Sequence, residues 1–86
     1  MSAGVTKPVR LSAHARGYLA RRGFTEAEVV DTIRTSPWRS GTLEAERVFS
    51  YNNLWNGRFY ANKRVRPVFV EKPNEIVVVT VYTYFF

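Results

Sequence analysis

Residues 23–37, GFTEAEVVDTIRTSP, carry the strongest local instruction in the chain. Thr25 and Glu28 stand at the spacing of a capping box, in which each side chain covers a free backbone N–H at a helix start. Phe24 and Val29 occupy the flanking positions of a hydrophobic staple. Val29, Val30 and Ile33 then form an apolar stripe, and Pro37 ends the helix by about Thr35. Working outward, Gly23 can take the left-handed conformation that stops a preceding helix. Ser12 is a good N-cap, and Leu11, Ala15, Tyr18 and Leu19 recur at helical spacing. The spacing predicts a first helix from Ser12 to about Arg22. Only a short turn separates the two helices, so they should pack as an αα-hairpin.

Beyond Pro37 the period changes to two. Candidate strands are Glu46–Tyr51, Arg58–Asn62, Val65–Lys72 and Glu75–Tyr84. Asn56-Gly57 is a hairpin turn signal, and Lys72-Pro73-Asn74-Glu75 reads as a second turn. Ile76–Val81 is dense in β-branched residues. Plain alternation places Val77, Val79 and Val81 under the helices, with Ile76, Val78, Thr80, Tyr82 and Tyr84 on the opposite face. The expected fold is α+β, with two N-terminal helices on one face of a mainly antiparallel sheet of three to four strands. Residues 1–9 are expected to be a flexible arm, and 10–86 a single domain.

The chain has 86 residues and no cysteine, which excludes disulfides and thiol chemistry. A single histidine, His14, excludes a multi-histidine metal cluster. No cofactor or metal is expected. Residues 1–10 lack the apolar run of a signal peptide. The apolar stretch Ile76–Phe86 is too short to span a bilayer. The expectation is therefore a cytoplasmic protein without a membrane partner.

Thirteen Lys/Arg against seven Asp/Glu give a net charge of +6. The cations cluster along the chain: Lys7, Arg10, Arg16, Arg21 and Arg22 precede the first acid, and Arg58, Lys63, Arg64 and Arg66 form a second acid-free run. Such segregation predicts a positive face that attracts phosphate backbones. Arg22, Arg58, Lys63, Arg64 and Arg66 are the candidate nucleic-acid contacts. Phe59, Tyr60 and Val65 interleave the second run, a combination that suits single-stranded RNA. The same charges would also protect an edge strand from aggregation.

Metal-free RNA cleavage needs a base for the 2′-hydroxyl, cations for the phosphorane and an acid for the leaving oxygen. His14 is the candidate base, Arg66 or Lys63 the clamp and Tyr82 the proton donor. A lone histidine of this kind more often caps or packs locally, bridging helix and sheet. The glutamates do not form a catalytic pair, since Glu28 already serves as a cap and Glu44 and Glu46 fall in a loop or strand edge.

Three short motifs add to this reading: Ser12, His14 and Ala15; Arg22-Gly23-Phe24; and Thr80-Val81-Tyr82. In order and spacing they resemble the bacterial domain of unknown function 4258, whose members show an S-x-H-A opening, an R-G-hydrophobic turn and a closing T-V-Y strand. The resemblance covers roughly residues 9–84. It implies a compact fold like that of RelE- and BrnT-like toxins, and directs attention to His14, Arg22, Thr80 and Tyr82. Members usually carry an arginine four residues after the histidine, where this chain has Tyr18.

Two functions follow as expectations. The first is an RNA-directed domain, in its sharper form a metal-independent toxin-type endoribonuclease. The second is a non-catalytic interaction module, docking an antitoxin-like protein or a second copy through Tyr82, Tyr84, Phe85 and Phe86.

Overall fold

The computed structural model describes residues 7–38 and 43–86. Its elements run β1 (Val9–Leu11), α1 (Ala13–Gly17), α2 (Leu19–Arg22), α3 (Glu26–Thr35), β2 (Arg47–Trp55), β3 (Arg58–Glu71) and β4 (Ile76–Phe85). The four strands form one mixed sheet in the order β1-β4-β3-β2. β2, β3 and β4 pair antiparallel, while β1 adds to β4 in parallel.

The expected first helix is two helices. Ser12 caps α1, its hydroxyl accepting from the Ala15 N–H at 3.1 Å. The helix breaks at Gly17–Tyr18, where the Tyr18 N–H tightens onto the Ala15 carbonyl at 3.2 Å and Tyr18 adopts φ −98°, ψ −1°. α2 restarts at Leu19 and ends on Gly23, which takes φ +71°. The Phe24 N–H returns to the Leu19 carbonyl, closing the turn. α3 carries both bonds of the capping box, Glu28 N–H to Thr25 at 3.1 Å and Thr25 N–H to Glu28 at 2.9 Å.

The core joins Leu11, Ala15, Phe24, Val29 and Ile33 to Val65, Phe69, Ile76, Val78 and Val81. Simple alternation fails on β4. Val68 pairs with Thr80 but Phe69 pairs with Val78, leaving Val79 as an unpaired bulge residue. A bulge inserts one residue and inverts the in–out parity beyond it. Ile76 and Val78 are therefore core, Val79 is exposed, and Val81 is core again.

The arm assigned to residues 1–9 is partly structured. Val9 opens β1, and the Pro8 carbonyl accepts from the Ile76 N–H at 2.9 Å. Residues 1–6 lie outside the described residues. β3 is continuous where two strands were expected. Its partner turn is as read: Asn56 and Gly57 have φ +52° and +80°, the two left-handed positions of a type I′ hairpin. Residues 58–61 continue past the end of β4, because the last β3–β4 contacts are Lys63–Phe85 and Asn62–Phe86.

Candidate nucleic-acid interface

β1 covers β4 only as far as Val78, and the exposed edge beyond it is where the helices attach. The Ser12 N–H donates to the Val78 carbonyl at 2.9 Å, and its hydroxyl reaches the Val79 carbonyl at 3.3 Å. These bonds hold the start of α1 against β4 and leave His14 exposed on its outer side. The His14 ring meets Tyr18 edge-on, with centroids 4.8 Å apart.

Beyond the break at Tyr18, Arg22 at the end of α2 also reaches β4. Its Nη1 donates to the Val81 carbonyl at 2.8 Å and to Thr80 Oγ1 at 3.3 Å. Its guanidinium carbon lies 4.2 Å from the Tyr18 ring centroid and 5.6 Å from that of Tyr82. Arg21 approaches Tyr18 as well, at 5.4 Å.

Register does the rest. Arg66 pairs with Tyr82 and Arg64 with Tyr84, so these four side chains share the face opposite the core. Arg66 lies 5.1 Å from the Tyr82 centroid and 5.6 Å from that of Tyr84, and donates to the Tyr84 hydroxyl at 3.1 Å. Arg64 lies 5.2 Å from Phe86. Rings and guanidiniums thus alternate along one line: His14, Tyr18, Arg22, Tyr82, Arg66, Tyr84. Each exposed cation–ring contact contributes roughly 0.5–1 kcal/mol. The line links His14, Arg22, Arg66 and Tyr82, which span most of the chain.

The charge picture differs from the linear one. Each of the seven acids meets a cation. Lys7 pairs with Glu71, Arg10 with Glu75, Arg16 with Glu26 and Arg47 with Asp31. Lys63 pairs with Glu28 at 2.8 Å, Arg64 with Glu46 at 3.5 Å and Arg66 with Glu44 at 3.6 Å. Segregation along the chain therefore does not survive folding, because the β2 approach carries Glu44 and Glu46 beside the β3 arginines. Among the described residues, no carboxylate lies within ion-pair distance of Arg21 or Arg22. Arg58 and Lys72 are likewise without an ion pair among the described residues, but Arg21 and Arg22 are the two that meet the Tyr18 ring beside His14.

Two expected contacts fall elsewhere. Lys63 is 5% exposed, on the core side, where it pairs with Glu28 and donates to the Gly23 carbonyl at 3.0 Å. It fastens the helices to β3 and is neither a surface cation nor a clamp. Arg58 sits at the hairpin tip, eight residues from Arg66 and roughly 25 Å along the strand. Phe85 is also withdrawn from any docking surface, stacked on Trp55 at 4.8 Å and edge-on to Tyr51 at 5.1 Å.

Tyr18 and Arg21 were missed as site residues. A signal for Tyr18 existed: His14, Tyr18 and Arg22 recur every four residues, the spacing that stacks side chains on one helix face. Tyr84's bond to Arg66 and the ion pairs of Glu44 and Glu46 had no local signal. Among the described residues, no three metal-ligating side chains converge.

These features define a small basic α+β domain in which helices and sheet build one cation–aromatic surface. The chain belongs to the family described as Domain of unknown function (DUF4258), whose model matches residues 11–83. The three motifs behind that resemblance meet in space at the outer edge of β4, through the Ser12–Val79 and Arg22–Thr80/Val81 bonds. No curated protein and no solved structure matches the chain.

Proposed function

We propose that this domain is RNA-directed, with a surface suited to single-stranded RNA, and that its sharper form is a metal-independent endoribonuclease. One observation carries the reading: residues from α1, α2, β3 and β4 line up as alternating rings and guanidiniums beside an exposed imidazole. Single strands reward that combination, because cations hold phosphates while exposed rings stack unpaired bases at ~1–3 kcal/mol each. Tyr84 and Phe86, each with an arginine against it, are the exposed platforms. Its sheet part lies on the open face of β3 and β4, and α1 and α2 join it at the edge of β4. An RNA-directed role fits a cytoplasmic location.

In the catalytic form His14 takes the proton of a 2′-hydroxyl, and that oxygen attacks phosphorus. The P–O5′ bond breaks as the new P–O2′ bond forms, and Tyr82 delivers a proton to the departing O5′. The products are a 2′,3′-cyclic phosphate and a 5′-hydroxyl end. Arg22 and Arg66 face the added negative charge on the phosphorane. A phenol is a reluctant acid at neutral pH, so rate would depend on tight positioning.

The test is incubation of the purified chain with end-labelled single-stranded RNA at low salt, with and without chelator. Chelator-resistant cleavage leaving cyclic-phosphate ends is the expected result for the enzyme. A gel shift without cleavage retains binding and removes catalysis. Intact, unshifted RNA refutes the RNA reading. For three engaged cations, log affinity should fall with log salt at a slope of about −2.

A second reading has its own support. Leu54 and Phe59 are direct cross-strand neighbours at the hairpin tip, 60% and 61% exposed. Adjacent apolar side chains this open suit a protein-interaction module binding an antitoxin-like partner or a second copy. Light scattering that shows a monomer, together with a pull-down that recovers no protein, counts against it.

A further inference from the structure

Besides Arg21, the arginines Arg22, Arg64 and Arg66 lie against this surface, and these three differ in what their N–H groups already do. Arg66 places Nε 3.6 Å from Glu44 and spends Nη2 on the Tyr84 hydroxyl. Arg64 places Nε 3.5 Å from Glu46. Both Nε atoms are buried without a well-formed hydrogen bond, so their side-on edges are closed to an incoming ligand. Arg22 is the reverse case. Its two protein bonds both use Nη1. Among the described residues, Nε and Nη2 have no partner, and neither is among the buried unpartnered polar atoms.

In a guanidinium, Nε–H and Nη2–H share one edge and point the same way, matching two oxygens of a tetrahedral anion. The Arg22 plane is held in place before any ligand arrives. Tyr18 lies 4.2 Å from its carbon, Tyr82 lies 5.6 Å away, and the Val81 carbonyl fixes the far edge. A preset donor pair loses little freedom on binding. Arg21 approaches the same ring, His14 touches its edge, and no described carboxylate offsets either arginine.

Resting on the RNA-directed reading, we infer that the Nε/Nη2 edge of Arg22 is the phosphate subsite of this surface. Arg66 adds charge beside that subsite and holds Tyr82 and Tyr84 in line. The ligand class is a phosphate oxyanion. An internal phosphodiester, a terminal nucleotide phosphate and free phosphate share that chemistry, and the assay separates them.

The experiment uses the full chain and follows the arginine Nε–H resonances by proton–nitrogen correlation spectroscopy. The probes are inorganic phosphate, a nucleoside 5′-monophosphate, the same nucleoside without phosphate, and a short single-stranded RNA lacking terminal phosphates. The Arg22 Nε–H signal should move with each phosphate-bearing probe and stay still with the nucleoside. A shift with the RNA assigns the subsite to internal phosphodiesters. Shifts with the monophosphate or inorganic phosphate alone assign it to terminal or free phosphate. In parallel, Arg22→Gln should weaken RNA binding by about tenfold to a hundredfold and flatten the salt slope by about 0.7. Arg22→Lys should lose affinity while keeping the slope. Arg66→Gln should lose less than Arg22→Gln, and Lys72→Gln, an equal loss of charge at the opposite end of β4, should change affinity less than twofold.

RNA binding without movement of the Arg22 signal overturns the subsite and leaves the RNA reading intact. No RNA binding by the native chain overturns that reading, and the inorganic phosphate titration then decides the subsite alone. If Arg22→Gln fails to fold, the Arg22→Lys variant and the native Nε–H shifts carry the decision.

Discussion

Gly23→Ala should destabilise the domain heavily, and the structure says by how much. Gly23 sits at φ +71°, and a Cβ there would lie 2.7 Å from two atoms of the Trp55 ring and 2.9 Å from the Phe85 ring. The left-handed conformation costs an L-residue roughly 1–2 kcal/mol. Forcing a methyl into a packed site costs roughly 1–3 kcal/mol. Alanine returns about 0.5 kcal/mol by restricting the unfolded chain. The net loss is about 2–4 kcal/mol, against a total of roughly 4–13 kcal/mol for a domain of this size. With a urea slope near 1 kcal/mol/M, the midpoint should fall by about 2–4 M. Far-UV circular dichroism is the better signal, because Trp55 fluorescence would respond to the substitution itself. Repeating the change in a Trp55→Leu background removes the closest contacts but keeps the backbone strain, so the penalty should shrink by about 1 kcal/mol or more. A loss below about 0.5 kcal/mol, or equal losses in both backgrounds, refutes the reasoning.

Lys63→Met strands Glu28 beside the capping box and leaves the Gly23 carbonyl without its donor, so it should cost about 3 kcal/mol, and Lys63→Ala, which also loses the buried stem, should cost more; urea unfolding of both variants checks the order. Arg10 donates to Glu75 and holds its carboxyl below the usual range, tying β1 to the start of β4. The contribution of a carboxyl lowered in this way is present above its unfolded pKa and is lost as pH falls through the folded value. The stability gap between the native chain and Glu75→Gln should therefore be visible at pH 7 and close in acid; an unchanged gap at pH 3 contradicts it. Leu54→Ser with Phe59→Ser should change the unfolding free energy from urea titration by no more than about 0.5 kcal/mol, since both side chains are exposed. Arg58→Ala should leave RNA affinity within about twofold, because the hairpin tip stands apart from the ring line; a tenfold loss would relocate the interface.

Much of the scaffold was legible in the residues because it is made by neighbours. The Ser12 cap, the Thr25–Glu28 box, the Pro37 stop and the Asn56-Gly57 turn each involve side chains within four positions, so their geometry follows from spacing. The same holds for His14's exposure in the opening turn of α1 and for the four-residue recurrence of His14, Tyr18 and Arg22. Other features depend on which strand lies beside which, and at what register. The bulge at Val79 reverses the faces of β4, and nothing in a run of valines marks the residue that slips. Parallel pairing brings Val9 beside Ile76 across most of the chain.

Charge shows the divide most clearly. Local sequence alone determined that Lys63, Arg64 and Arg66 form an acid-free run on an alternating strand. Tertiary structure decided that the first is buried against Glu28, and that the other two are compensated by Glu46 and Glu44. It also decided that Arg22, one of several candidate contacts in the sequence, stands uncompensated between two rings at the edge of β4. The physical reason is that screened Coulomb forces act through space over about 8–10 Å at physiological salt. A charge's neighbours in space are chosen by strand register and helix direction, whatever the order of residues along the chain.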